Sequence, residues 1–199
     1  ASKGPVVIAD GADATNGGSP GDSTCLLEQM LAQKITCPAY LTMVDEEAVQ
    51  RAMAVPVGAE IELELGAKRS RRYHRPILVR ARVERFSDGR FEVGGHIAQQ
   101  ADMGRCVLLS VGSIQIVVSE HPGPGHDPAV YRHIGLEPRE AQIVVVKCTV
   151  GHLKVFADIM TESLACECPG PSPSYLERLD YRAIPRPIYP LDRETVWKA

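Results

Sequence analysis

Residues 6–28, VVIADGADATNGGSPGDSTCLLE, form the stretch that decides the fold. The apolar run Val6–Ala9 is typical of a buried strand, and Asp10 ends it. A Gly-rich loop follows, and Asp22 then stands where a helix N-cap belongs, ahead of apolar residues at helical spacing. The stretch predicts a strand, a loop and a helix, an order that places backbone N–H groups and the positive end of a helix beside carboxylates.

The loop in this stretch allows two interpretations. As a ligand-facing loop at the carboxyl end of a parallel strand, it would use Gly17, Gly18 and Gly21 to bring the backbone close to a bound group. As a tight connection, its glycines would only supply positive φ angles and Asp22 would only cap the helix. The glycine spacing matches neither the dinucleotide fingerprint nor the P-loop. Because carboxylates such as Asp13 repel phosphate, a cationic or metal-bound group, or a structural role, fits the charge better.

The overall composition is that of an ordinary globular protein. Of the 199 residues, 44% are hydrophobic and 24% are charged, enough for one large domain or two small ones with a sizeable core. The net charge of −3 excludes a general basic field for nucleic acid. The local exception, KRSRRYHR at 68–75, is interpreted as a solvated hairpin tip, with binding of RNA or an acidic partner as the alternative.

The cysteines and the absence of membrane signals indicate a cytoplasmic location. The sequence contains no apolar run long enough to span a bilayer and no signal peptide, so no membrane partner is expected. Four of the six scattered cysteines lie in apolar surroundings typical of reduced core thiols. Cys166 and Cys168 form a C-x-C pair, but a zinc site there would need two more ligands. The start at Ala1, just ahead of a buried strand, suggests a fragment of a longer chain.

The order of patterns along the chain predicts an α/β fold. An N-terminal β-α-β-α parallel unit is followed by an antiparallel meander, a short helix and a final buried strand. The predicted helices are at about 22–33, 45–55, 127–134 and 155–163, and the main strands at 6–9, 38–44, 59–65, 77–86, 105–111, 114–120 and 143–146. Residues 91–93 continue the chain as a hairpin arm, and residues 95–102 are predicted to be a loop.

We expect one mixed sheet with helices packed on it, in a single domain of residues 1–199. The sequence leaves open whether the meander joins the parallel strands or packs as a separate layer. The Pro-rich tail at 169–199 cannot donate many backbone hydrogen bonds, so we expect it to wrap the surface in extended form.

Charged residues follow three of the predicted strands. Asp10, Asp45 and Lys147 would all lie at the carboxyl ends of parallel strands, where ligands of open α/β sheets gather. Lys147 either contacts an anion or substrate carboxylate, pairs with Asp10 or Asp22, or only extends to solvent from a strand terminus.

The loop at 121–128 (HPGPGHDP) contains two histidines and an aspartate and follows Glu120. A metal site is one interpretation of His121, His126 and Asp127. The other is a rigid Pro/Gly connection with solvent-exposed imidazoles, since the loop lacks the i,i+4 geometry of helical metal ligands.

Six segments cover nearly the whole chain: 6–24, 87–91, 102–118, 127–138, 143–147 and 186–192. Taken together, they resemble the C-terminal domain of the MlrC family, the metallopeptidases named for microcystin degradation. The resemblance departs from the family pattern at Ala14, where the family often has Asn, and after Lys147, where His152 is displaced by one position. The six segments occur in the family's order.

The resemblance implies a zinc-dependent hydrolase of peptide or amide bonds, such as those of linearised microcystin. It also implies that the zinc ligands and general base lie mainly in an N-terminal domain absent here, so no cofactor is expected in this fragment. That domain and the peptide substrate are then the expected partners. The candidate residues at the substrate or interdomain cleft are Asp10, Asp13, Asn16, Gly17, Gly18, Gly21, Asp22 and Lys147.

Two other functions stay open at this point. The chain could be a non-catalytic binding or oligomerisation module, with the meander and the tail as contact surfaces of a homo-oligomer. It could also be a self-sufficient small-molecule enzyme that uses Asp10, Asp13, Asp22 and Lys147.

Overall fold

The structure is a computed structural model that describes residues 4–94 and 99–196. None of the helices in these ranges is long and apolar enough to cross a membrane. The α-helices are α1 Cys25–Ala32, α2 Glu46–Met53, α3 Ala129–Arg132 and α4 His152–Val155. The strands are β1 Val6–Asp10, β2 Ala39–Val44, β3 Glu60–Leu65, β4 Ile77–Ser87, β5 Arg90–Val93, β6 Gln99–Asp102, β7 Cys106–Val111, β8 Ile114–Ser119, β9 Ile143–Val146 and β10 Glu162–Cys166.

An eight-stranded mixed sheet, in the order β10-β1-β9-β2-β8-β7-β4-β3, forms the centre of the fold. The strands from β10 to β8 run parallel, whereas β8, β7, β4 and β3 pair antiparallel. The meander therefore joins the parallel strands in one sheet, which confirms the predicted α/β fold. One detail differs from the simple unit: β9 lies between β1 and β2, so these two strands are parallel without being neighbours.

Apolar residues pack on both faces of the sheet. Strand β9 contributes Val145 to one core and Val144 and Val146 to the other. Helices α1 and α2 cover the first face, where Val49 is fully buried, and α3 covers the second with Tyr131. Burial on both faces explains why residues 143–146 form a continuous apolar run rather than an alternating one.

Helix α1 begins at Cys25, and the prediction that Asp22 caps it is wrong. Thr24 occupies the N-cap position without a side-chain bond to the helix. The Asp22 carboxylate instead accepts hydrogen bonds from the backbone N–H groups of Arg69 and Ser70, at 2.7 and 3.2 Å. Asp22 therefore binds backbone groups far away in the sequence instead of capping the helix that follows it.

Two further segments differ from their predictions. The prediction of a helix over 155–163 is wrong, because α4 ends at Val155 and strand β10 begins at Glu162. Strand β10 pairs in parallel with β1, and the Thr161 N–H already donates to the Pro5 carbonyl, so pairing with the sheet overrides helical spacing. The loop expected over 95–102 contains strand β6; residues 95–98 lie outside the described residues.

His152 connects the end of β9 to the edge strand β10. Its side chain is buried, and its ring nitrogens lie 3.3 Å from the Cys148 Sγ and 2.7 Å from the Ser163 Oγ. Burial lowers the pKa of His152, and nearby His126 lowers it further. The neutral imidazole therefore holds the two strand segments together through hydrogen bonds.

Strands β5 and β6 form a separate two-stranded hairpin. The Phe91 ring stacks on the His133 ring at the end of α3, with centroids 4.6 Å apart and 13° between the planes. The Ser87 Oγ lies 3.0 Å from the His133 Nδ1, and the Met103 N–H donates to the Gly89 carbonyl at the base of the hairpin. These contacts fix the hairpin on the face of the sheet that α3 covers.

We expect the chain to lose stability as the pH falls below about 6.5, with His133 responsible for part of the loss. Burial lowers the pKa of His133 from 6.5 to about 4, so between these values the unfolded chain binds a proton that the folded chain excludes. Replacing His133 by Gln should reduce the loss of unfolding free energy between about pH 7 and about pH 4.5 by roughly 1–3 kcal/mol.

Urea unfolding of both proteins at the two pH values measures this difference. His121→Gln, at an exposed histidine, is the matched control for the substitution itself. An equal loss of stability in the parent and in His133→Gln would contradict the prediction.

Candidate functional site

The carboxyl ends of the central parallel strands meet at one edge of the sheet. Strand β1 ends in Asp10, while Lys147 follows β9, Asp45 follows β2 and Glu120 follows β8. The structure thus brings Asp10, Asp45 and Lys147 to the same edge, as their strand positions predict.

Lys147 is the centre of a buried charge cluster at this edge. Its Nζ lies 2.8 Å from the Asp13 Oδ2 and 3.3 Å from the Asp10 Oδ2, and all three residues are at most 3% exposed. Burial alone would lower the pKa of Lys147, but the charges of the two aspartates and their hydrogen bonds outweigh burial and raise it. Of the two partners predicted for Lys147, Asp10 is correct; the second observed partner is Asp13 rather than Asp22.

Asp13 determines the path of the Gly-rich loop from inside. Its Oδ1 accepts a hydrogen bond from the Gly21 N–H and its Oδ2 accepts one from the Ser23 N–H, both at 2.8 Å. Gly21 has a φ of +79°, and a Cβ there would lie 2.7 Å from a methyl group of Val44. Only glycine fits between the loop and β2, so Gly21 serves the tight connection.

Buried carboxylates also hold the loop that follows β3. The Asp45 Oδ1 accepts a hydrogen bond from the Ala48 N–H at the start of α2, and its Oδ2 accepts one from the Gly66 N–H. Burial raises the pKa of Asp45, although both hydrogen bonds oppose this effect.

The basic segment 68–75, whose backbone binds Asp22, contains two buried side chains, Ser70 and His74. It is therefore more closely packed than a solvated hairpin tip.

The outer part of the Gly-rich loop contacts the loop at 121–128. The Thr15 Oγ1 donates to the Gly123 carbonyl at 2.8 Å, and the Asn16 Nδ2 lies 2.8 Å from the His126 Nδ1. The Lys147 N–H donates to a carbonyl of the same 121–128 loop. The two loops thus pack together and cover the charge cluster.

The proline-rich segment after β10 lies against the other side of the Gly-rich loop. The Ser172 N–H donates to the Ala12 carbonyl, and the Ser172 Oγ lies 2.8 Å from the Ser19 Oγ. A Cβ on Gly170 would lie 2.4 Å from the Ala12 carbonyl oxygen. The beginning of the tail therefore supports this loop.

A cleft of about 760 Å³ opens beside these loops. We name it the edge cleft. One wall consists of Thr15, Asn16, His126 and the segment 122–124, and the other consists of Val93, Gly94 and all four residues of β6. Ligand sites in proteins have volumes in this range. The edge cleft is accessible, whereas the Lys147 cluster is buried behind the loops.

A second cavity of about 790 Å³ lies on the β5 side of the hairpin, beside α3. Asp127 lines it and is 4% exposed. Its Oδ1 accepts a hydrogen bond from the Ala129 N–H, while its Oδ2 has no hydrogen-bond partner. The short helix predicted over 127–134 is confirmed only over Ala129–Arg132, and Pro128 rather than Asp127 occupies its N-cap. Asp127 precedes this cap and leaves one oxygen unpaired beneath the cavity.

No metal centre is formed by the residues that the structure describes. Within 4–94 and 99–196, no group of three or more His, Cys, Asp or Glu side chains could hold a metal ion. Glu120 is engaged by the Arg105 guanidinium, whose hydrogen bonds lower the pKa of Glu120. The Sγ atoms of Cys166 and Cys168 lie 3.7 Å apart as free thiols. The metal interpretations of the C-x-C pair and of the 121–128 loop therefore receive no support.

The eight candidate residues separate into two groups. Five lie in the interior, namely Asp10, Asp13, Gly21, Asp22 and Lys147. The other three, Asn16, Gly17 and Gly18, are exposed, and of these Asn16 lines the edge cleft. Sequence reasoning missed β6 and the pairing of Asn16 with His126. The Pro-Gly repeats of 122–125 signalled a rigid loop without showing which segment it contacts.

We expect Lys147→Met to destabilise the chain by about 3–5 kcal/mol, because it leaves the buried carboxylates of Asp10 and Asp13 without their cation. Chemical denaturation monitored by circular dichroism measures the loss. Lys34→Met, at an exposed lysine, is the control and should change stability by less than about 0.5 kcal/mol. Equal stabilities of the two variants would contradict a structural role for the cluster.

Known proteins show the same sequence pattern and fold. A family model described as "MlrC C-terminus" matches residues 8–183. Microcystinase C from Sphingomonas sp is 28% identical over 144 residues, which are 72% of this chain and 28% of that protein. The crystal structure "Putative metallopeptidase from Mesorhizobium sp. BNC1" has a TM-score of 0.87 and 23% identity, and the match covers 99% of this chain and 40% of that one.

The chain thus spans less than half the length of either relative. The family model, in contrast, covers most of the chain, from the middle of β1 to beyond β10. The chain belongs to the MlrC C-terminal domain family.

Proposed function

We propose that this chain is the C-terminal domain of an MlrC-type metallopeptidase that hydrolyses peptide or amide bonds, such as those of linearised microcystin-type peptides. Family membership and the similarity to Microcystinase C support the reaction class. The matched shares of 28% and 40% of the two relatives support a larger protein in which other domains contribute to catalysis.

In this proposal the chain binds substrate and contacts another domain, and zinc ligands lie elsewhere in the protein. The described residues fit a zinc site poorly, since they contain no group of three ligating side chains. The free thiols of all six cysteines are compatible with a reducing cytoplasmic compartment.

The observation that carries the proposal is the edge cleft at the carboxyl end of the parallel strands. Its accessible rim presents the Asn16 amide and the His126 imidazole, which are held together by their hydrogen bond. Both groups can donate to or accept from a peptide group. Because the buried Lys147 cluster fixes the loop that carries Asn16, the rim can orient a substrate without first having to become ordered.

We expect Asn16→Ala and His126→Ala, made in the full-length protein, each to lower kcat/KM for a linear peptide by about fivefold to twentyfold, the effect of one or two lost hydrogen bonds. Bound zinc per chain, measured by mass spectrometry, should stay unchanged. Gln50→Ala, on the exposed side of α2, is the control and should keep the parent kcat/KM.

The zinc content of the full-length protein, compared with that of residues 1–199, tests whether the zinc site lies outside this chain. We expect about one zinc per full-length chain and none in the shorter one. Stoichiometric zinc in residues 1–199 would overturn the proposal, as would full activity of both cleft variants.

A further inference from the structure

Strand β6 has one edge without a partner strand among the described residues. It pairs only with β5, in the antiparallel register Arg90↔Asp102, Phe91↔Ala101, Glu92↔Gln100 and Val93↔Gln99. An unpaired strand edge presents a row of backbone donors and acceptors to another chain.

The register shows which backbone groups of β6 point away from β5. The Met103 N–H donates to the Gly89 carbonyl, and this bond places Met103 opposite Gly89 at a hydrogen-bonded position of the ladder. Hydrogen-bonded and non-hydrogen-bonded pairs alternate along an antiparallel ladder. The pairs of Gln100 and Asp102 are therefore the non-hydrogen-bonded ones, and the N–H and C=O groups of Gln100 and Asp102 point outward.

The outward edge of β6 faces the edge cleft. All four consecutive residues of β6 line that cleft, although neighbouring side chains of a strand point to opposite faces. Such a continuous lining arises when the edge of the strand, rather than one face, borders the space. From β5 only its last residue, Val93, reaches the cleft, while Phe91 and Glu92 line the cavity beside α3.

The chemistry of the cleft favours a neutral extended backbone as its occupant. Among the lining residues that the structure describes, Asp102 is the one carboxylate, and Arg90 pairs with it at 3.1 Å. The opposite wall offers an amide and an imidazole from Asn16 and His126 rather than a lysine or arginine. Nothing in this lining selects a strongly charged ligand, whereas the outward N–H and C=O groups of Gln100 and Asp102 match a peptide main chain.

We propose that the edge cleft binds the peptide substrate as an extended third strand of the β5–β6 hairpin, hydrogen-bonded to the backbone of Gln100 and Asp102. The peptide identity of the occupant rests on the proposed function, and the mode of binding rests on the edge and the cleft. Main-chain recognition of this kind tolerates different side chains, with selectivity coming from the groups on the opposite wall.

Two proline substitutions in the full-length protein test the edge. Gln100→Pro removes the outward N–H on the cleft side, and Glu92→Pro removes the equivalent outward N–H on the β5 side. Proline is tolerated where a strand N–H faces outward. The two substitutions should therefore reduce the stability of the hairpin by similar amounts. We expect Gln100→Pro to lower kcat/KM for a linear peptide by at least about tenfold and Glu92→Pro by less than about twofold.

Hydrogen exchange provides a readout that does not need catalysis. The probe is an N-acetylated, C-amidated hexapeptide, Ala-Leu-Ala-Leu-Ser-Ala, at saturating concentration. We expect it to slow exchange of the Gln100 and Asp102 amides in the parent protein by at least about tenfold. The same peptide with alternate amides N-methylated should give no protection, since it lacks the donors that a strand pair requires.

The outcomes separate the two proposals. Amide protection in a protein that cleaves no peptide supports strand addition and overturns the peptidase function. Peptide cleavage with equal kcat/KM for Gln100→Pro and Glu92→Pro and without amide protection supports the function and overturns strand addition. Absence of both cleavage and protection overturns both.

Discussion

The buried ion cluster of Lys147 with Asp10 and Asp13 is the contact on which the carboxyl edge of the sheet depends. It joins β1, β9 and the Gly-rich loop through one ammonium group. Charges removed from water need partners close by, and hydrogen bonds to their remaining lone pairs offset part of the cost of burial. The N–H groups of Gly21 and Ser23 satisfy Asp13, so the loop must follow its observed path for the cluster to form. Cluster and loop conformation therefore stabilise each other.

This constraint extends outward to the surface. The fixed loop places Thr15 and Asn16 against the 121–128 loop, and together they build one wall of the edge cleft. The other wall is the β5–β6 hairpin, which is held by the stacking of Phe91 on His133. Each wall is attached to the sheet through packed or hydrogen-bonded groups, the arrangement that keeps a binding site in place before its ligand arrives.

The sequence predicts the elements whose signals are local. The apolar run at 143–146 identifies a strand buried on both faces, and Asp45 identifies the start of α2. It does not predict partners far away in the chain: Asp22 follows the pattern of a helix cap, yet its acceptor role depends on backbone groups 47 and 48 residues away. Strand β6, with the sequence QQAD, lacks the alternation of a half-buried strand because residues on both of its faces are exposed and only Ala101 is partly buried.

The same physics explains why the charged candidates and the accessible ones are different residues. Lys147 already has two carboxylates within 3.3 Å, so its charge is compensated internally and has no route to a substrate. A charge that stabilises a loop from within has to remain buried away from water, whereas a group that contacts substrate has to reach the surface. In the proposed peptidase, recognition by this domain therefore falls to neutral groups such as the Asn16 amide and to exposed backbone. Neutral groups of this kind bind the main chain that all peptides share.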